Sequence, residues 1–226
     1  MTLYGTPRPA THRPPRRAPW LACVVAALVL TVVGSVGWIV LTARTDRAHL
    51  DAGQATLARA WNLQIAQVDV PAALPAPGGP IGRLYLPRLG LNWILVEGTT
   101  EAALAAGPGH YPGTAGPGQI GNMAVAGHRE VGLFADLDQV KAGDAVVIET
   151  RSRWYVYRIL TNRVVDKTDL AEVAPVPPGA ERGSRLLTLT TCWPRWSNTR
   201  RIAVRAVLER TSPRDEIPPE LTEGDH

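Results

Sequence analysis

Cysteine is almost absent from this 226-residue chain: Cys23 and Cys192 are the only two. Charge is absent from residues 20–41, WLACVVAALVLTVVGSVGWIVL, and acidic residues are absent from residues 1–19, which hold Arg8, Arg13, Arg16 and Arg17. At 1.5 Å rise per residue the uncharged run makes about 33 Å of helix, enough to cross a hydrocarbon core of about 30 Å. A cleaved signal peptide is the competing reading, but its apolar region would be only about 7–15 residues long, and TARTDRAHL offers no A-x-A site. The positive-inside rule puts the arginines in the cytoplasm and everything after about residue 42 outside the cell. The net charge of +4 owes much to this basic tail, so it reads as a topology signal rather than as nucleic-acid binding. The bilayer then lies between Cys23 and Cys192, which excludes an intramolecular disulfide and leaves an unpaired thiol in the exported part. No acidic cluster of the kind that holds calcium is present, so no metal and no cofactor is expected.

What is there has a clear order. Residues 1–19 form the cytoplasmic tail and 20–41 the transmembrane helix. Residues 42–80 form a stalk, which can continue the membrane helix, and a linker punctuated by PAALPAPGGP. From residue 81 short runs rich in Val, Ile, Leu, Tyr and Trp follow one another: IGRLYLP, NWILVEG, NMAVAGH, DAVVIET, RWYVYRILTNRVV, RLLTLTTC and RIAVRAVLE. Gly, Pro, Asn or Asp bound most of them, the pattern of an all-β sandwich or barrel with one core over residues 81–210. Helix signals are few. TTEAALAAG has Thr99 or Thr100 as N-cap, Glu101 in the first turn and Gly107 as a stop; GLFADLDQV offers another turn or two. The tail 211–226, polar and broken by proline, is expected to be disordered.

Five histidines are present, and four are set aside: His12 in the tail, His49 in the stalk, His226 at the end and His110 in a Gly/Pro-rich loop. His128 closes the strand MAVAG, and Cys192 closes RLLTLTT just before Trp193 and Pro194. Two strand ends carrying Cys and His can meet on one rim of a barrel, held by the sheet yet facing an opening. A thiolate is the nucleophile of cysteine chemistry and is favoured by a neighbouring imidazolium or guanidinium. Acyl transfer also needs a fixed cation at the tetrahedral oxygen, and Arg200 and Arg201 open the next strand. A small buried cysteine and a surface histidine would produce the same pattern, so spacing alone leaves both readings open.

The segment TLTTCWP followed by RRIAVRAVL resembles the signature of the sortases, cysteine transpeptidases of the cell surface. GHYPGTAGPGQIGNMAVAGHR is similar to that family's His segment, and its GHYPGT and GNMAVAGHR pieces resemble class E. The likeness runs from about residue 81 to about residue 209. It implies an eight-stranded β-barrel with one or two short helices, with His128 as acid/base, Cys192 as nucleophile and Arg201 as oxyanion stabiliser; Arg200 is the second candidate for that last role. Tyr111 falls where class E carries a tyrosine associated with reading the sorting motif, and Thr191 and Trp193, flanking the nucleophile, are expected beside the substrate. Trp193 is a departure, since class E relatives often carry His there, and an indole beside the thiol would narrow the groove.

The implied activity is cleavage of an LAxTG- or LPxTG-like sorting signal between Thr and Gly, through a thioacyl enzyme resolved by an amine of a cell-wall precursor or a pilin. The implied partners are surface proteins bearing that signal, the amine acceptor and the membrane. An L,D-transpeptidase is the enzymatic rival, but its S-x-G-C-type motif is missing. A catalytically idle, membrane-anchored β-domain that binds surface partners is the rival from another class.

Overall fold

The computed structural model describes residues 19–66, 75–130 and 132–222. The chain divides into two compact units, one up to Thr45 and one from Asp46 onward. Helix α1 (Pro19–Ala66) runs through both. Its apolar side chains between Val24 and Leu41 are exposed. Among the described residues it is one helix long and apolar enough to cross a membrane. In the second unit the same helix packs inward. Leu50 joins Trp93 and Leu133 in a small apolar cluster, and Trp61 is buried. The segment read as a stalk is therefore helical to Ala66, and residues 67–74 of the linker lie outside the described residues.

Eight strands follow: β1 (Pro80–Leu86), β2 (Leu91–Glu97), β3 (Gly109–His110), β4 (Gly121–Ala126), β5 (Ala145–Glu149), β6 (Arg153–Asp166), β7 (Arg185–Trp193) and β8 (Arg200–Pro213). They close into a barrel in the order β1-β2-β3-β4-β7-β8-β6-β5, which is the all-β barrel expected from the short β-branched runs. The pairs β2/β3 and β4/β7 are parallel. Helix α2 (Glu101–Ala106) makes the crossover from β2 to β3; the Thr100 hydroxyl accepts a hydrogen bond from the Ala103 N–H, and Gly107 ends the helix. The other helix signal becomes a single 3-10 turn at Leu137–Gln139.

Side chains alternate across each strand. Met123 and Val125 of β4, Leu187 and Leu189 of β7, and Ile202 and Val204 of β8 enter the main core. The opposite, outer face of these three strands is polar yet buried. Asn122 donates to the Glu172 and Ala174 carbonyls at 3.0 and 3.1 Å and accepts from the Thr188 hydroxyl at 2.9 Å. The Glu172 carboxylate pairs with Arg205 at 2.5 Å and Arg163 at 2.7 Å, and Arg205 also donates to the Pro178 carbonyl. Buried charges persist when paired and hydrogen-bonded in this way. The result pins the β6–β7 connection onto the outer face.

One sheet edge is closed from outside the sheet. Strand β3 pairs only with Val96 and Glu97 of β2, which leaves Ile94 without a strand partner on that side. The Gln54 side chain of α1 takes the place of a strand: its amide oxygen accepts from Ile94 N at 2.7 Å, and its amide nitrogen donates to Ile94 O at 3.1 Å and to Ala106 O at 2.7 Å.

Two expectations differ from the structure. The C-terminal segment is folded as far as Thr222, with a 3-10 turn at Pro219–Leu221. Glu220 pairs with Arg158 and Arg210, Arg214 pairs with Glu149 at 2.5 Å, and Trp154 Nε1 donates to the Arg214 carbonyl. Polar composition here reflects a network of ion pairs against the barrel, not solvation. His110, read as a loop residue, lies in β3 and is 0% exposed. Its Nδ1 meets Glu97 at 2.8 Å, and its Nε2 meets the Ala115 carbonyl and the Thr114 hydroxyl at 3.0 and 2.9 Å.

Candidate active site

The thiol of Cys192 lies near the end of β7, between two strands that each bring one chemical group. On one side β8 runs antiparallel, and Cys192 pairs with Arg201 while Trp193 pairs with Arg200. Laterally paired residues share a face of the sheet. Arg201 is therefore on the face of Cys192 and Arg200 on the other, which separates the two arginines that the sequence left as alternatives. The Arg201 guanidinium donates to the Asn198 and Arg200 carbonyls at 3.1 and 3.0 Å, so its head is held by the turn before β8.

On the other side β4 runs parallel, with Ala126 paired to Thr190. The Gly127 N–H continues the ladder to the Thr190 carbonyl at 3.0 Å. Carrying this register two residues past Ala126 brings His128 level with Cys192. Gly127 is needed for that path, because a Cβ there would lie 2.5 Å from the ring of the buried Phe134. The His128 carbonyl accepts from Phe134 N, which turns the chain after the histidine. His128 Nε2 stands 3.7 Å from the Glu101 carboxylate, a solvent-exposed group in the first turn of α2. Cys, His and Arg thus come from three adjacent strands at one end of the barrel.

Of the three residues expected against a substrate, the structure keeps one on the thiol's face. Tyr111 Oη lies 3.2 Å from the Thr190 hydroxyl, and Thr190 is two residues before Cys192 on the same face. Thr191 and Trp193 have the opposite parity. Thr191 pairs with Ile202 of the core and is 2% exposed; Trp193 packs against the main apolar cluster. Both face away from the thiol, so the indole does not narrow a groove on its side. The alternation of Leu187 and Leu189 with Thr188 and Thr190 carries this signal in the sequence.

The sequence reading missed Arg129. Its side chain is only 3% exposed. Nη2 donates to Asp138 at 2.6 Å, Nη1 donates to the carbonyl of Cys192 at 3.4 Å, and the guanidinium carbon lies 4.4 Å from the centre of the Trp193 ring. One side chain thus ties the segment after His128 to the strand that carries the thiol. No local pattern marks this role, since Asp138 and Trp193 reach Arg129 only through the fold. Cys192 opens into a depression of about 550 Å³ whose walls include Arg129, Glu130 and the turn at Arg195, Trp196, Ser197 and Asn198. Among the described residues no group of three or more His, Cys, Asp or Glu side chains is placed to hold a metal ion. A half-buried thiol level in the ladder with a histidine and an arginine is equipped for nucleophilic acyl transfer, with the histidine moving protons and the guanidinium facing developing negative charge.

Comparison with known proteins gives the same family at every level. A sequence model of the sortase domain matches residues 84–209. Sortase SrtE2 of Streptomyces coelicolor is 33% identical over 157 residues, covering 63% of this chain and 61% of that protein. Sortase SrtE1 of the same organism is 30% identical over 189 residues, covering 77% and 52%. The chain thus spans less than two thirds of either curated relative. The structure of sortase E from Streptomyces avermitilis is 40% identical, with a TM-score of 0.60 over 65% of this chain and 99% of that one.

Proposed function

The chain belongs to the sortase family and is most similar to its class E members, and on that premise we propose that it is a membrane-anchored cysteine transpeptidase of the cell surface. In this reading Cys192 attacks the Thr carbonyl of an LAxTG- or LPxTG-like sorting signal, Arg201 faces the oxyanion, and protonated His128 gives its proton to the departing Gly amine. The thioacyl enzyme is then resolved by an amine on a cell-wall precursor or a pilin. The observation that carries the reading is the ladder: Cys192 pairs with Arg201 on one side, and the β4 register leads to His128 on the other. Tyr111, joined to Thr190 on the same face, is the candidate for reading the sorting signal. Helix α1 supplies the anchor, with the arginine-rich tail in the cytoplasm and the barrel outside. Tethering holds enzyme, signal-bearing protein and lipid-linked acceptor in one plane at high effective concentration.

The test uses the full chain in detergent micelles with quenched LAxTG and LPxTG peptides, with and without an amine. Cleavage that is abolished in Cys192→Ala and diverted to ligation by the amine supports the proposal. Cleavage surviving in Cys192→Ala would end it, and no cleavage together with a thiol inert to electrophiles would favour the idle binding domain.

A further inference from the structure

The depression that holds Cys192 carries three charged side chains, Arg129, Glu130 and Arg195, and two of their charges have partners. Arg129 is paired with Asp138, and Arg195 is paired with Asp136. Glu130 is the one acid on the wall itself. It is exposed, and among the described residues its carboxylate has neither an ion pair nor a hydrogen bond. The two arginine charges on the wall are thus paired with two aspartates, which leaves Glu130 as the unpaired charge of the wall. Arg201, whose guanidinium donates among the described residues only to the Asn198 and Arg200 carbonyls, is not on that wall. The facing wall carries Trp196, an indole 87% exposed. A free carboxylate and an exposed indole face are two independent features that attract the same chemical class, a cationic amine.

Position along β7 assigns this side of the thiol. Tyr111 and Thr190 lie before Cys192 in the strand, so an acyl donor read by Tyr111 occupies that side. The depression lies beyond Cys192, against the turn at Arg195–Asn198, and His128 is not on its wall. It is therefore open when the donor side is filled.

We propose that Glu130 selects a positively charged primary amine as acceptor, drawing it into this depression beside the thioacyl bond; the proposal rests on the transpeptidase reading above. The ammonium enters as a cation and loses one proton to solvent. The neutral nitrogen attacks the thioacyl carbonyl carbon, the C–S bond breaks, and sulfur leaves as the Cys192 thiolate. The second proton of the attacking nitrogen passes to His128, which became neutral when it protonated the departing Gly amine. The thiolate and imidazolium are thereby restored.

The experiment has two arms, both on the full chain in detergent with Cys23→Ser, so that Cys192 is the only thiol. The first compares modification of Cys192 by a cationic and an anionic methanethiosulfonate of similar size. An exposed carboxylate favours the cation, and Glu130→Gln lowers the cation-to-anion rate ratio by roughly two- to five-fold. Glu130→Lys lowers it further, and both effects shrink as salt is raised. The second arm lets glycinamide, a cation, compete with hydroxylamine, uncharged at neutral pH, for the thioacyl enzyme. Glu130→Gln lowers the glycinamide share by the same roughly two- to five-fold. A reagent ratio untouched by either variant would overturn the charge assignment. Transfer whose glycinamide share ignores Glu130→Gln would overturn the acceptor role alone. Absence of any transfer by the chain with Glu130 intact, with the reagent ratio still responding, would overturn the transpeptidase reading and the acceptor role with it.

Discussion

The Arg129 guanidinium lies 4.4 Å from the centre of the Trp193 ring, and its hydrogen bonds to Asp138 and to the Cys192 carbonyl fix it there. The segment after His128 and the strand that carries Cys192 are therefore coupled by one residue. Replacing Arg129 with Met keeps the bulk but loses both bonds and the stacking charge. It is expected to cost about 1–3 kcal/mol of stability and to lower kcat roughly tenfold or more as Cys192 and His128 lose their fixed spacing. Thermal melting and peptide-cleavage kinetics on the same sample check this, with Arg129→Lys intermediate because a point charge cannot reproduce the planar fork.

Gly127→Ala tests the path that brings His128 to the thiol. The new methyl would meet the Phe134 ring at 2.5 Å, and overpacking of this kind costs about 1–3 kcal/mol. Activity should fall by more than the stability loss explains, because the strain sits one residue from His128. Adding Phe134→Leu should recover part of both quantities, a non-additivity readable in a double-mutant cycle.

The outer-face ion pairs give a stability prediction with a built-in control. Glu172→Ala leaves Arg205 buried without its carboxylate and should cost about 3–5 kcal/mol. Replacing Glu172 and Arg205 together with Leu and Met should cost much less, since no buried charge is left uncompensated; Arg163 loses its partner too, but its side chain is half exposed to solvent. Urea unfolding of the single and double variants measures the difference.

Tyr111→Phe removes the contact to Thr190 without changing the ring. Loss of one such bond is worth about 1 kcal/mol, so KM for the sorting peptide should rise roughly five-fold with little change in melting temperature. A Thr190→Val variant should give a similar kinetic change, and steady-state kinetics on both variants decides whether the pair acts as a unit.

The C-terminal segment should loosen in acid. Partial burial acts to raise the Glu220 carboxyl, but the hydrogen bond from Arg210, with the charges of Arg210 and Arg158, outweighs it and holds the group below its ordinary value of 4.5. A depressed folded value means the stabilisation is complete above the ordinary value and is lost as pH falls through the lower, folded one. Melting temperature should therefore decline below about pH 4.5, and Glu220→Gln should lower it at neutral pH by the equivalent of about 1 kcal/mol while flattening the acid decline.

Much of the site was legible because its signals are local. TLTTC, the strand before His128 and the Arg opening β8 are contiguous runs, and the Thr100 cap of α2 needs only its own turn. The unread parts depend on distance or on parity. His110 is buried against Glu97, 13 residues earlier in the chain and its register partner on the adjacent strand β2. Arg129 is defined by Asp138 and by a tryptophan on another strand. Thr191 and Trp193 lie on the other face for a simpler reason: adjacency to Cys192 in sequence means opposition across the sheet. The terminal segment looked unfolded because pairing between its own charges and Arg158 or Glu149 leaves no trace in local composition.

The hold of Gln54 on Ile94 reaches beyond the single molecule. A form of the protein trimmed at the Pro/Gly-rich linker loses α1 and presents the Ile94 amide and carbonyl as a bare rung. Another copy can add its own backbone there. Wherever α1 is present that rung is already occupied, so copies crowded side by side gain no backbone pairing there. The glutamine thus works as a stopper on this edge, and the trimmed protein should run larger than its mass by size-exclusion chromatography.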